Sequence, residues 1–132
     1  MRNSFSRRLR NPKLWQIALA CYWLALFVAT HIPMEMPELH GGKADKLAHV
    51  AAFAGLAAIF AITWQLSAGR LTARHLAWAW VALVLYAAFE ELTQPLVGRY
   101  ASVWDWSADA VGAALGLLLF AWIGRKGWKS DL

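Results

Sequence analysis

Four long apolar stretches divide the chain: Leu14–Ile32, Leu47–Leu66, Leu76–Leu96 and Trp106–Ile123. Each runs about 18–21 residues, close to the ~20 that cross a ~30 Å hydrocarbon core at 1.5 Å per residue. None leaves room for the polar face that a soluble helix turns to water. Lipid offers no water to peptide groups, so each stretch must be helical. The pattern predicts an all-α fold, a bundle of four transmembrane helices. With no internal repeat, low-complexity stretch or linker, residues 1–132 read as one domain. Composition agrees: 60% of residues are hydrophobic and 16% charged, where a soluble domain is about half apolar and a quarter charged.

Charge sets the expected orientation. Arg2, Arg7, Arg8, Arg10 and Lys13 precede the first span, Arg70 and Arg74 lie in the second connection, and Arg125, Lys126 and Lys129 follow the last span. Of the 13 basic residues, only Lys43, Lys46 and Arg99 fall on the other side. The positive-inside rule then puts both termini in the cytoplasm. The net charge of +5 reflects this topology and contact with anionic lipid; no nucleic-acid module accompanies it. Acidic residues mirror the bias, with only Asp131 inside. Trp15, Trp64, Trp78, Trp80, Trp122 and Trp128 fall near the inner boundary and Trp104 and Trp106 near the outer one, as aromatic belts do. Trp23 alone falls mid-span, against lipid or another helix. The first span is too long for a signal-peptide core and no Ala-x-Ala site follows it, so it reads as a retained helix. Cys21 is the only cysteine, which excludes an internal disulfide.

Polar residues interrupt three spans near their outer ends. The second opens with Asp45-Lys-Leu-Ala-His49, where Asp45 is suited to cap the helix and His49 follows one turn deeper on the same face. The third reaches Glu90-Glu-Leu-Thr-Gln-Pro95. Glu90 and Glu91 are about 100° apart on a helix and cannot share one direction; Gln94 falls between them, and Pro95 removes a backbone N–H. The fourth opens with Asp105-Trp-Ser-Ala-Asp109, its two aspartates one turn apart on one face. Ala108, Gly112 and Gly116 form a small-xxx-small face, fitted to close packing within the chain or to a homodimer. His49, Glu91 and Asp109 thus come from three helices at matching depth, rimmed by Lys46, Gln94, Arg99, Ser102 and Asp105. Ionisable groups cost roughly 2.5–3.5 kcal/mol apiece at the centre of a membrane helix, so their convergence marks a polar pocket open to the outer leaflet.

The series Asp45-Lys46-x-x-His49, then Glu91-x-x-Gln94-Pro95-x-x-Gly98-Arg99-x-x-Ser102-x-x-Asp105-x-x-x-Asp109-x-x-Gly112-x-x-x-Gly116, resembles the VanZ-like membrane proteins over roughly Leu24 to Ile123. Asp109 departs from the pattern, standing where many relatives have asparagine. The resemblance implies a multi-pass protein of the bacterial cytoplasmic (inner) membrane with a role in the cell envelope. Its name carries a link to glycopeptide (teicoplanin-type) resistance, but it brings no assigned reaction.

The residues favour a site for a phosphate-bearing amphiphile of the outer leaflet, a phospholipid or a polyprenyl-linked envelope precursor. His49, Glu91, Asp105 and Asp109 are its acid–base candidates. Asp45, Lys46, Gln94, Arg99 and Ser102 surround the substrate, with Arg99 and Lys46 suited to phosphate. The cofactor stays open. A divalent metal on His49, Glu91 and Asp109 is compatible with the residue types but not favoured, because no compact motif such as His-Glu-x-x-His is present. No Ser-His-Asp arrangement is identifiable, and Ser102 is equally suited to cap the fourth helix. Two other readings compete: a small proton-coupled transporter or flippase, and a scaffold whose polar cluster only staples helices together.

Overall fold

A computed structural model describes residues 10–33 and 42–129, with side chains as far as Gly124. Arg2, Arg7, Arg8 and Asp131, and the side chains of Arg125, Lys126, Trp128 and Lys129, lie outside the described residues. Four helices follow one another: α1 (Pro12–His31), α2 (Lys43–Ala68), α3 (Ala73–Thr93) and α4 (Val103–Lys129), with a short 3₁₀ turn (Gln94–Val97) after α3. All four are long and apolar enough to cross a membrane.

Local chemistry sets the ends. Asn11 caps α1, accepting from the Lys13 N–H at 3.0 Å, and Pro12 occupies the first turn where its missing N–H costs nothing. Thr72 and His75 form a reciprocal capping box at the start of α3. The α-helix of the third span stops at Thr93, short of the expected Leu96, because Pro95 cannot donate; the chain tightens into the 3₁₀ turn and leaves it through Gly98 at φ 78°. Asp45 does not cap α2, contrary to expectation. The helix starts earlier, at Lys43, with Gly42 as its cap residue, so Asp45 sits in the first turn and turns toward Lys46.

The centre of the bundle is the crossing of α2 and α4. A Cβ added at Gly112 would stand 2.9 Å from the Val50 Cα, and one at Gly116 would stand 3.0 Å from the Ala54 Cα. Backbone therefore lies on backbone, the use that small residues serve where lipid removes most of the hydrophobic drive between helices. Both glycines are consumed inside the chain, so the homodimer considered through Ala108, Gly112 and Gly116 has no free glycine face. Phe53, Leu56, Ala57 and Ala61 of α2, Ala79, Leu83 and Ala87 of α3, and Ala113 and Leu117 of α4 make up the buried apolar core. Indole N–H groups tie α3 to α4: Trp106 donates to the Val84 carbonyl at 3.1 Å and Trp80 to the Ala110 carbonyl at 3.0 Å. Helix α1 lies at the periphery, with Thr30 its one buried residue. Its Tyr22 donates to the Ala52 carbonyl at 2.8 Å, and its Trp23 stacks edge-on against Tyr86, ring centroids 4.9 Å apart. The mid-span tryptophan thus faces other helices.

Candidate functional site

The polar residues gather at the end of the bundle where α1 and α3 finish and α2 and α4 begin. Two turns below the start of α2, His49 places Nδ1 2.9 Å from Asp109 Oδ1. Asp109 is only 1% exposed, so its carboxylate depends on that partner, since a buried charge is stable only when paired or hydrogen-bonded. Glu91, 6% exposed, reaches the same place from α3. Its Oε2 accepts from the Ser102 backbone N–H at 2.6 Å and its Oε1 from Gln94 Nε2 at 3.2 Å. One ligand atom each of His49, Glu91 and Asp109 falls within a common sphere of 4.8 Å separation.

A second, shallower group surrounds this one. Lys46 bridges Asp105 and Asp45, the latter at 3.4 Å. Asp45, His49 and Asp105 form another set whose ligand atoms lie within 4.8 Å, so His49 belongs to both. Ser102 caps α4: its Oγ accepts from the Asp105 N–H at 3.3 Å while its own N–H holds Glu91. Asp45, Lys46, His49, Glu91, Gln94, Ser102, Asp105 and Asp109 are therefore brought together. Arg99 is not. It turns back over the end of α1, where Nη1 donates to the Ala29 and Ile32 carbonyls at 3.2 and 3.4 Å. A cation there meets the negative end of the α1 dipole.

Sequence reasoning missed a third group. Glu90, 1% exposed, points away from Glu91 and accepts the Tyr86 hydroxyl proton. Beside it at the end of α1, His31 places Nε2 2.8 Å from Thr93 Oγ1 and Nδ1 2.8 Å from the Phe27 carbonyl. A carbonyl only accepts, so Nδ1 carries a proton. The i, i+4 spacing of Tyr86 and Glu90 was the available signal. No signal links His31 to Thr93, which lie 62 positions apart. Among the described residues, no buried side-chain nitrogen or oxygen lacks a hydrogen-bond partner.

Next to the His49–Asp109 pair an open groove of about 370 Å³ runs between α2 and α4, lined by Lys46, Val50, Trp104, Ser107, Ala108 and Val111. Its walls are apolar and Lys46 supplies charge. Toward the other end of the bundle, a hollow of about 260 Å³ between α3 and α4 is lined by Leu76, Ala77, Trp80, Ala114, Leu117 and Leu118, with no charged group.

Fold and site together define a multi-pass helical membrane protein with a buried His–carboxylate centre near one end. The chain belongs to the family described as VanZ/LLP1, whose model matches residues 4–124. No curated protein and no solved structure matches it.

Proposed function

We propose that this chain binds or processes a phosphate-bearing amphiphile, a phospholipid or a polyprenyl-linked envelope precursor, from the outer leaflet of the bacterial cytoplasmic membrane. The observation that carries this reading is the groove between α2 and α4. Val50, Ala108, Val111 and Trp104 offer an apolar wall to a chain lying in lipid, and Lys46 stands over it as a point charge for phosphate. Asp45 and Asp105 share that ammonium, so an incoming phosphate competes with carboxylates for it.

His49 directly precedes the groove residue Val50 and Asp109 directly follows Ala108, so the pair sits on the helix turns that carry the groove without lining it. Asp109 orients the ring through Nδ1, the arrangement by which a carboxylate prepares histidine for proton transfer from its other nitrogen. Glu91, held by Ser102 and Gln94, is the second proton-transferring group. Arg99 is assigned to closing α1 in this reading. With both termini in the cytoplasm, as the basic residues direct, the polar end opens to the outer leaflet. The link to glycopeptide resistance then follows if the bound lipid is an envelope precursor.

The scaffold alternative draws on one observation of its own, the complete hydrogen bonding of the buried polar atoms among the described residues. Native mass spectrometry of the protein released from mild detergent separates the two. Wild type retains a phosphate-bearing lipid. Lys46→Gln, which removes the charge, and Ala108→Phe, which fills the groove, each reduce that retention roughly tenfold or more at unchanged folded yield. Absence of any retained lipid, or equal retention by both folded variants, sinks the proposal in favour of the scaffold.

A further inference from the structure

We infer that His49, Glu91 and Asp109 form a binding site for one divalent metal ion. The three side chains arise from α2, α3 and α4, so their meeting is a product of the fold and not of a local motif. Their ligand atoms fall within 4.8 Å of one another. A cation with bonds of about 2.0–2.1 Å needs neighbouring ligands about 2.9 Å apart and opposite ones about 4.2 Å apart. The His49 Nδ1 to Asp109 Oδ1 separation, 2.9 Å, already matches a neighbouring pair, and Glu91 belongs to the same set within its 4.8 Å limit.

Charge supplies an independent reason. Two carboxylates stand nine-tenths or more buried in this set, with Glu90 also buried at the same level of α3. The basic side chains nearby are engaged elsewhere. Lys46 bridges Asp45 and Asp105, and Arg99 donates to the Ala29 and Ile32 carbonyls. His49 is the basic group paired with Asp109. Buried carboxyls otherwise hold protons; a divalent ion would take up the charge of both once they are ionised. The supporting shell is also in place: Ser102 N–H and Gln94 Nε2 hold the Glu91 oxygens, as the outer partners of metal-binding carboxylates do.

One nitrogen and two carboxylates suit manganese, zinc or magnesium and leave coordination positions open. The open positions accept water or an oxygen of an oxyanion, so the bound ion would convert an acidic pocket into one that attracts phosphate. Ligation through Nδ1 displaces its hydrogen bond to Asp109, so the ion-bound site and the Asp109-oriented imidazole are alternative states; metal binding does not rest on the lipid proposal, and the two fail separately.

The test uses the full chain in detergent, stripped with chelator and given Mn²⁺ alone, with free Mn²⁺ counted by electron paramagnetic resonance. One ion binds per chain. Glu91→Gln and Asp109→Asn each weaken binding roughly 30-fold or more, since each removes a ligand charge while keeping shape. Asp105→Asn, in the shallower set, changes affinity less than about threefold, the size of a screened charge effect. A nitrogen coupling to bound Mn²⁺ disappears in His49→Ala, and this spectroscopic reading stands even if Asp109→Asn does not fold. Lys46→Gln keeps the ion while losing lipid. The inference is overturned by absence of saturable binding at millimolar Mn²⁺, by loss on Asp105→Asn without loss on Glu91→Gln, or by a nitrogen coupling that persists without His49.

Discussion

Glu90 and Glu91 are adjacent, yet they belong to different networks. The 100° between neighbouring helix positions requires that divergence, and it was legible before any coordinates. What lay beyond reach was the surroundings of Glu90, because the sequence does not say which helix stands on either side of α3. Trp23 packs edge-on against Tyr86, and that contact, with the Tyr86 hydroxyl on Glu90, encloses a carboxyl that had lipid as an alternative neighbour. Tyr86→Phe removes one partner and leaves the carboxyl buried, which costs about 1–3 kcal/mol and lowers the midpoint of thermal unfolding in detergent. Adding Glu90→Leu to Tyr86→Phe recovers part of the loss, since removing both members of a buried polar pair is milder than removing one. A double variant less stable than the sum of the two singles contradicts this account. The His49, Glu91 and Asp109 convergence was legible for a similar reason: each lies within about two turns of a helix end, and depth can be counted along a chain.

At the level of elements, the apolar windows located all four helices but missed their ends: each helix starts two to four residues before its window, α2 and α4 run on past theirs, and α1 and α3 stop one and three residues short. A hydropathy window measures hydrocarbon thickness, whereas helical hydrogen bonding continues into the interface until a cap or a proline stops it; α2 accordingly extends from Lys43 to Ala68. The small-residue spacing on α4 announced a close neighbour without naming it. The α2 side of the contact is Val50 and Ala54, a pair with no pattern of its own. Gly116→Leu therefore forces α2 and α4 apart and costs about 1–3 kcal/mol as an overpacked contact, visible as lower folded yield on size exclusion. Gly124→Ala, at a position with nothing within 4 Å, is neutral or stabilises the helix by up to about 1 kcal/mol. Equal damage from the two would remove the backbone contact as the explanation. Arg99→Ala frees the Ala29 and Ile32 carbonyls and loosens α1 alone, by about 1–2 kcal/mol. Hydrogen exchange should then rise at the end of α1 but not in α2.

For the whole molecule, an even number of spans sends both termini to one side, and the positive-inside rule gives the cytoplasm as the expected side. Single cysteines introduced into a Cys21→Ala background report this: one at Ser67 should stay shielded from an impermeant thiol reagent in intact cells, and one at Tyr100 should react. The reverse pattern would turn the polar end to the cytoplasm and remove the outer-leaflet substrate. The pairing of α2 with α4 also has a consequence for how the protein is made. These helices are separated in the chain by α3, so α2 enters the bilayer before its closest partner has been synthesised. Until α4 arrives, His49 lacks Asp109 and the Val50–Ala54 backbone faces lipid. A ribosome stalled between residues 49 and 109 leaves in the membrane a fragment whose His49 lacks its carboxylate partner. Completion of the last helix is thus the point at which the polar end of the bundle closes on itself.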